Sequence, residues 1–233
     1  MIGVIQFPGS CDERDALAAV QRVGDGRLVW HEETDLSGLD GVVVPGGFSY
    51  GDYLRAGAIA RFSPAMEAVA RFAAEGGPVL GICNGFQVLC EAGLLPGALL
   101  PNEGLRFLCR QVELVAQDLR GPFGAEVGAG ERLSIPVKHM TGRYFAPDEE
   151  LERMDAGGQI AFRYAEGENP NGSVRDVAGV TSEAGNVLGL MPHPEHAVDP
   201  LTGSDDGLAL FRALAVAHHI TGRADARPPI SAA

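Results

Sequence analysis

The chain has 233 residues and a formal net charge of −13; 45% of its residues are hydrophobic and 21% are charged. This length and balance fit one globular domain with a full core and exclude a disordered chain. The acidic charge argues against nucleic acid as a partner, because phosphate binding needs a basic surface. With no basic-flanked leader and no apolar run of ~20 residues, we expect no membrane association and a cytoplasmic location.

The cysteine and lysine counts exclude some further classes. Cys11, Cys83, Cys90 and Cys109 have no C-x-x-C spacing. They therefore indicate neither a metal site nor a disulfide framework. Lys138 is the single lysine beside seventeen arginines, a bias that we attribute to genome composition rather than to chemistry.

The first hundred residues alternate short apolar runs with helical patterns, which is typical of βαβ units around a mostly parallel sheet. Strands are predicted at Ile2–Phe7, Arg27–Trp30, Gly41–Val44 and Val79–Ile82. Helices are predicted at about Glu13–Val23, with Asp12 as N-cap, and at Pro64–Ala74, with Ser63 as N-cap.

Beyond Gly97, strands separated by Gly, Pro and Asn turns predominate, followed by one apolar helix. The strands are predicted at Phe107–Val115, Glu131–Val137, Ile160–Tyr164, Ala178–Thr181 and Val187–Met191, and the helix at about Asp205–His219. We predict one α/β domain over residues 1–222, with a mostly parallel central sheet flanked by helices. Residues 223–233 are expected to form a disordered tail.

The apolar run before Cys83 ends in Gly81-Ile82-Cys83-Asn84-Gly85 and is followed by a helix-compatible segment. This is the cysteine version of the nucleophile elbow, a sharp strand-to-helix turn that raises one side chain above the sheet. The helix dipole favours a thiolate there. The alternative is a small buried thiol without a catalytic role.

A nucleophilic cysteine needs a base, and the base needs a group that orients it. His193 and Glu195 lie in Met191-Pro192-His193-Pro194-Glu195. Pro194 favours an extended conformation at His193, which would place the two side chains on one side of the chain. A turn with an incidental histidine is the alternative. We expect His31, His218 and His219 to be structural or surface residues.

Pro45-Gly46-Gly47 follows the predicted strand Gly41–Val44. Glycines at a strand end leave backbone N–H groups open to an oxyanion that develops at an attacked carbonyl. Pro-Gly-Gly is also common in simple turns. The motif is informative only because Cys83 and the His193/Glu195 pair follow it along the chain.

In this order, these motifs resemble those of class I (triad) glutamine amidotransferases with a flavodoxin-like fold. Within that class the chain closely resembles the small glutaminase subunits of phosphoribosylformylglycinamidine synthase. The closer resemblance rests on Phe7-Pro8-Gly9-Ser10, the segment from Pro45 through Phe48-Ser49-Tyr50-Gly51-Asp52 to Arg61, Cys83-Asn84-Gly85-Phe86-Gln87, Gly93-Leu94-Leu95-Pro96-Gly97, Gly167-Glu168-Asn169-Pro170-Asn171-Gly172-Ser173 and Met191-Pro192-His193-Pro194-Glu195.

The resemblance implies Cys83 as nucleophile, His193 as acid and base, and Glu195 as its orienting carboxylate. It implies an oxyanion hole at Gly46, Gly47 and the backbone N–H of Asn84, with Gln87 near the substrate amide.

The implied activity is hydrolysis of L-glutamine, with ammonia passed to a large ATP-dependent synthetase subunit accompanied by a third small subunit. That synthetase would convert formylglycinamide ribonucleotide to formylglycinamidine ribonucleotide in purine biosynthesis. ATP and magnesium are expected on the synthetase. The present chain has no nucleotide-binding glycine loop, and we expect it to need no cofactor.

Two segments depart from the family pattern. His196 stands where the family usually has arginine, and Lys138-His139-Met140-Thr141-Gly142 replaces a small-residue and acidic motif. We assign no role to these residues and expect His139 to be a loop histidine. Two alternatives stay open: a partner-independent cysteine hydrolase of the same fold acting on γ-glutamyl or peptide bonds, and a non-catalytic binding or redox protein.

Overall fold

A computed structural model of the chain describes residues 1–221, with side chains described as far as residue 215. The expected tail 223–233 and the side chains of His218 and His219 lie outside the described residues. Among residues 1–221, no helix combines the length and the apolar character needed to cross a membrane.

The described part of the chain contains eleven strands and six α-helices. The strands are β1 (Ile2–Gln6), β2 (Gly26–Trp30), β3 (Gly41–Val44), β4 (Val79–Ile82), β5 (Ala98–Pro101), β6 (Leu108–Ala116), β7 (Arg132–His139), β8 (Thr141–Phe145), β9 (Ile160–Tyr164), β10 (Val177–Thr181) and β11 (Val187–Leu190). The helices are α1 (Glu13–Gln21), α2 (Pro64–Ala74), α3 (Asn84–Glu91), α4 (Gly121–Glu126), α5 (Asp148–Ala156) and α6 (Leu208–Thr221).

Nine of these strands form one sheet in the order β2-β1-β3-β4-β11-β10-β9-β6-β7. The first five are parallel, and each later pair is antiparallel. Strands β9 and β7 consequently run in the same direction as the first five, so seven of the nine strands described share one direction. The predicted α/β fold with a mostly parallel sheet is confirmed.

The central strands β3, β4 and β11 are buried along their whole length. Such continuous apolar runs are typical of parallel strands covered on both faces. The burial holds the backbone of these strands rigidly. The loops at their carboxyl ends are therefore fixed, and it is these loops that carry the predicted functional residues.

Strand prediction was accurate for the large sheet, with bounds that differ by no more than two residues. Several elements were not predicted: β5 and β8, which pair as a separate two-stranded sheet, and helices α4 and α5. Helix α6 begins at Leu208, three residues later than expected. The acidic run at 148–150 forms the first turn of α5, where negative charge favours a helix.

Candidate active site

Cys83 lies at the sharp turn between β4 and α3. Its backbone has φ 49° and ψ −103°, a conformation that non-glycine residues rarely adopt. A Cβ on Gly85 would lie 1.8 Å from the carbonyl oxygen of Val44, and one on Gly81 would lie 2.4 Å from a methyl of Leu89. The glycines on either side therefore permit the close approach of α3 to the sheet that this turn requires.

His193 and Glu195 follow β11 and are both buried. His193 Nδ1 lies 2.6 Å from Glu195 Oε1, and the His193 N–H donates to the carbonyl oxygen of Pro136 on β7 at 2.8 Å. The route to this pairing differs from the expected one: residues Pro194–His196 form a 3-10 turn, not an extended segment. The turn still directs the carboxylate to the imidazole.

The protonation of His193 is set by opposing effects. Burial disfavours the imidazolium, but the negative charges of Glu195 and Cys83 outweigh it and raise the pKa of His193 above its usual value. His193 Nε2 has no hydrogen-bond partner among the described residues. With Nδ1 committed to Glu195, Nε2 is the atom left free to exchange a proton with a ligand in the cavity.

Gly46 and Gly47 form a bare turn after β3. Gly47 has φ +146°, and a Cβ there would lie 2.6 Å from the backbone nitrogen of Cys11. Within residues 1–221, the N–H groups of Gly46 and Gly47 donate to no protein acceptor, whereas the Gly46 carbonyl accepts from Cys11 and Asp12. The N–H of Asn84, the first residue of α3, is free by helix geometry. Backbone N–H groups without a protein acceptor are the kind of donor that an oxyanion hole requires.

The side chains of Asn84 and Gln87 are engaged with the protein itself. Asn84 accepts from the Ser49 N–H at 3.0 Å and donates to Gln87 Oε1 at 2.9 Å. Gln87 donates to the carbonyl oxygen of Thr141 at 2.6 Å. Asn84 therefore anchors the loop after β3, and only its backbone N–H is available to substrate. Gln87 lines the cavity with its amide already bonded.

A cavity of about 120 Å³ lies at this site. Of the predicted site residues, Cys83, His193, Gly47 and Gln87 line it, whereas Gly46, Asn84 and Glu195 lie behind the lining residues. The structure therefore brings the predicted nucleophile, the predicted base and one of the predicted oxyanion donors to one cavity. Its other lining residues are Cys11, Asp12, Phe48, Asp52, Phe107, Lys138, His139, Met140 and Thr141.

Asp12 and Lys138 belong to the site, although the sequence analysis did not place them there. Asp12 precedes α1, but its side chain makes no capping hydrogen bond. Its carboxylate turns inward and lies 2.5 Å from Lys138 Nζ. Asp12 thus occupies the predicted N-cap position but does not cap α1 with its side chain, and the single lysine is part of the cavity wall. The available signal was that Lys138 directly follows the predicted strand Glu131–Val137, at the carboxyl edge of the sheet.

His139 is not the loop histidine that we expected. It is the last residue of β7 and is buried, with Nδ1 3.0 Å from Asn102 Oδ1. Burial lowers the pKa of His139 to about 4, and the charge of His193 contributes. His139 is therefore neutral near pH 7.

Four of the described side chains could in principle hold a metal ion. One ligand atom each from Asp12, His193, Glu195 and His196 lies within 4.8 Å of the others. Asp12 Oδ1 is already paired with the Lys138 ammonium, and His193 Nδ1 with Glu195. A cation would have to displace both pairings, so the arrangement suits proton transfer better than metal binding.

Comparison with known proteins agrees with this geometry. The chain matches the CobB/CobQ-like glutamine amidotransferase domain over residues 1–206. It is 56% identical to phosphoribosylformylglycinamidine synthase subunit PurQ of Rubrobacter xylanophilus, over 91% of this chain and 96% of the relative. It is 53% identical to the PurQ subunit of Streptomyces avermitilis, over 91% and 95%.

Two solved structures share the fold. A chain in the structure of PurLQS from Thermotoga maritima superposes with a TM-score of 0.83 at 40% identity, covering 92% of this chain and 96% of that one. A glutamine amidotransferase from Thermotoga maritima superposes with a TM-score of 0.59 at 16% identity, covering 92% and 96%, which supports the fold alone. The family match spans most of the chain, and the chain therefore belongs to the CobB/CobQ-like glutamine amidotransferase family.

Proposed function

We propose that this chain is the glutaminase subunit of phosphoribosylformylglycinamidine synthase and that it releases ammonia from L-glutamine at Cys83. The observation that carries the proposal is the meeting of three features in one cavity: a thiol on a strained elbow, a buried His193–Glu195 pair and free backbone donors. Relatives that are 53–56% identical over 91% of this chain are PurQ subunits of that synthase.

The first half of the reaction forms a thioester. Cys83 Sγ attacks the side-chain carbonyl carbon of glutamine, and the N–H groups of Gly46, Gly47 and Asn84 stabilise the oxyanion of the tetrahedral intermediate. His193 Nε2 donates its proton to the departing nitrogen, and ammonia leaves. Glu195 holds the ring orientation and stabilises the imidazolium that precedes this transfer.

The second half regenerates the thiol. A water molecule attacks the γ-glutamyl thioester while His193 Nε2 accepts its proton, and glutamate leaves as Cys83 is released. The raised pKa of His193 suits the donor role in the first half. Because the His193 ring is shielded from solvent, its proton is transferred to the substrate and is not lost to bulk water.

Ammonia is consumed elsewhere. We assign the ATP- and magnesium-dependent conversion of formylglycinamide ribonucleotide to a large synthetase subunit, accompanied by a third small subunit. Two facts support this: the sequence has no nucleotide-binding glycine loop, and the related structure from Thermotoga maritima is of PurLQS.

The test is Cys83→Ala in the assembled complex. Glutamine-dependent synthesis should fall to background, while synthesis supported by added ammonium salts should remain at the wild-type rate. Loss of both would indicate a damaged complex, and retention of glutamine-dependent synthesis would contradict the proposal. Hydrolysis of γ-glutamyl peptides by the isolated wild-type chain would instead favour a partner-independent hydrolase.

A further inference from the structure

His193 faces two buried carboxylates, and only one of them belongs to the proposed triad. Glu195 Oε1 lies 2.6 Å from Nδ1, and Asp12 Oδ2 lies 3.7 Å from the same atom. Asp12 is as deeply buried as the triad residues. A Cβ on Gly46 would lie 2.4 Å from Asp12 Oδ2 and 2.9 Å from His193 Cε1. Glycine at this position therefore lets Asp12 and His193 meet.

Two buried negative charges beside one imidazole need compensation, since an unpaired buried charge is costly. Lys138 supplies it from β7, with its ammonium 2.5 Å from Asp12 Oδ1. His193 is tied to the same strand through the carbonyl oxygen of Pro136. The lysine is thus held in fixed register with the histidine, and it also lines the cavity that contains Cys83.

We propose that the Asp12–Lys138 ion pair sets the pH range in which Cys83 and His193 work, so that Lys138 is a positioning residue of the glutaminase reaction. The proposal rests on the triad of the proposed function. Asp12 raises the local negative potential, which favours every protonated form, and Lys138 cancels most of that potential. Neither residue exchanges a proton with substrate in this scheme.

Other charged groups lie near Cys83 and His193, and none of them is substituted in the variants used below. Glu195 and His196 come from the turn after β11, with His196 Nε2 3.7 Å from Asp12 Oδ1. Among the residues that the structure describes, the other titratable groups near Cys83 or His193 are Cys11 on the loop before α1, Asp52 on the loop after β3, His139 on β7 and Tyr164 on β9.

The two halves of the pair should shift the pH dependence in opposite directions. Lys138→Met leaves an uncompensated carboxylate, whose negative potential favours protonated forms in the cavity and moves both limbs of the glutaminase pH profile to higher pH. Asp12→Asn leaves an uncompensated ammonium and moves both limbs to lower pH. Each shift should be about 0.5–1.5 pH units, because the altered charge lies in the same cavity as Cys83 and His193.

A charge-neutral double variant separates this effect from structural damage. Lys138→Met combined with Asp12→Asn removes one charge of each sign, so its profile should return to within about 0.3 pH units of wild type. Lys138→Arg should also stay close to wild type. Arg22→Gln, which breaks the exposed Arg22–Asp199 pair beside α1, is the matched control and should shift nothing.

Two measurements are made on the full-length chain and its complex. The rate of Cys83 alkylation by iodoacetamide is followed against pH by mass spectrometry, and the glutaminase pH profile is recorded with the synthetase present. A single cooperative unfolding transition well above the assay temperature establishes that each variant is folded, although the single variants should melt below the wild type because each leaves a buried charge unpaired. Shifts of the same sign in both single variants, or no shift in either, would overturn the proposal.

Failure of the proposed function would look different. If Cys83→Ala retained glutamine-dependent synthesis, the triad assignment would fall, although the alkylation profiles would still report the charge effect. If Cys83→Ala abolished it and the pH limbs of the single variants did not move, the triad would stand and the role of Lys138 would be refuted.

Discussion

At the scale of single residues, the site depends on the strained backbone of Cys83. The conformation of Cys83 costs on the order of 1–3 kcal/mol for a non-glycine residue. The surrounding strands and α3 enforce this conformation, and Cys83 both packs at the edge of the core and lines the cavity. The strain therefore lies at the residue that we propose as the nucleophile.

His139 illustrates how a buried neutral residue couples this site to pH. Its Nδ1 is bonded to Asn102, while its Nε2 has no partner among the described residues. Protonation would place a positive charge in a buried position close to His193. The folded state therefore binds this proton less readily than the unfolded state does.

We predict that the free energy of unfolding depends less on pH below 6.5 in His139→Gln than in the wild type. With a folded pKa of about 4, below the unfolded value near 6.5, His139 contributes stability that is present above pH 6.5 and lost as the pH falls toward 4. The wild type should lose up to about 3 kcal/mol more than the variant over this range. Denaturant unfolding at several pH values measures it.

The matched control is His31→Gln, because His31 is only half-buried and lies away from the cavity. This variant should keep the wild-type slope of unfolding free energy against pH. Equal slopes in the wild type and His139→Gln would contradict the assignment of acid sensitivity to His139.

At the scale of elements, the site forms because parallel strands end at one edge of a sheet. Loops after β1, β3, β4 and β11 supply Asp12, the Gly46–Gly47 turn, Cys83 and His193. Strand β7 runs in the same direction and adds Lys138. In α/β sheets, the carboxyl ends of the strands are where ligands bind. Four loops and one strand end, distant in sequence, are brought together because their strands run in the same direction.

Gly85→Ala tests the close approach of α3 to this sheet. The added Cβ would lie 1.8 Å from the carbonyl oxygen of Val44, a backbone atom that cannot move aside cheaply. We expect a loss of about 2 kcal/mol or more and a melting temperature lower by about 4–8 °C. Glutaminase activity should fall together with the stability, because the added methyl group would displace the first turn of α3 and Cys83 directly precedes that turn.

Gly104→Ala is the control for that experiment, since nothing lies within 4 Å of its added Cβ and its φ is ordinary. Its melting temperature should stay within about 2 °C of the wild type. A similar small change in Gly85→Ala, measured by calorimetry, would mean that α3 packs less tightly than the structure indicates.

The sequence was sufficient for the elements whose signals are local. Apolar runs predicted the nine strands of the large sheet, and the Gly-x-Cys-x-Gly spacing predicted the turn at Cys83. Strand β5 was missed because none of its residues is buried, and β8 was missed because its buried positions, Gly142 and Tyr144, do not form an apolar alternation in the sequence. The role of Lys138 was missed because its partner Asp12 is 126 residues away, and no spacing rule joins them.

The proximity of Cys83, His193 and Glu195 was predictable for a further reason. Two of its members, His193 and Glu195, are neighbours in sequence, and the third lies in an elbow with a recognisable glycine pattern. The backbone conformation that joins His193 and Glu195 was not predictable: it is a 3-10 turn and not an extended segment. The conformation of this turn depends on its packing against β7 and α1, which the local sequence does not reveal.

At the scale of the whole molecule, exposed apolar side chains gather around the entrance to the site. Phe48, Phe107 and Met140 line the cavity and are about half exposed. A second cavity of about 520 Å³ shares Asp52, Gln87 and Thr141 with the first, and the largely exposed Leu54 lines it. Apolar groups kept in water next to a reactive site indicate a surface that a partner covers.

Leu54→Asp tests whether the synthetase covers this surface. Leu54 is 91% exposed and has φ 70°, a conformation that aspartate tolerates better than leucine, so the change should not destabilise the chain. A desolvated carboxylate at an interface should weaken binding of the synthetase subunit by about tenfold or more, with glutamine-dependent synthesis falling in parallel. Titration calorimetry with the purified synthetase measures the affinity.

Leu201→Asp provides the comparison, because Leu201 is 95% exposed and lines neither cavity. It introduces the same charge at the same exposure, so any general effect of added acidity appears in both variants. Only Leu54→Asp should weaken the complex. Equal affinities for the two variants would mean that the synthetase binds elsewhere. The exposed apolar side chains around the two cavities would then not be explained by this partner. A selective loss would place the partner over the cavities, where it can receive ammonia before water does.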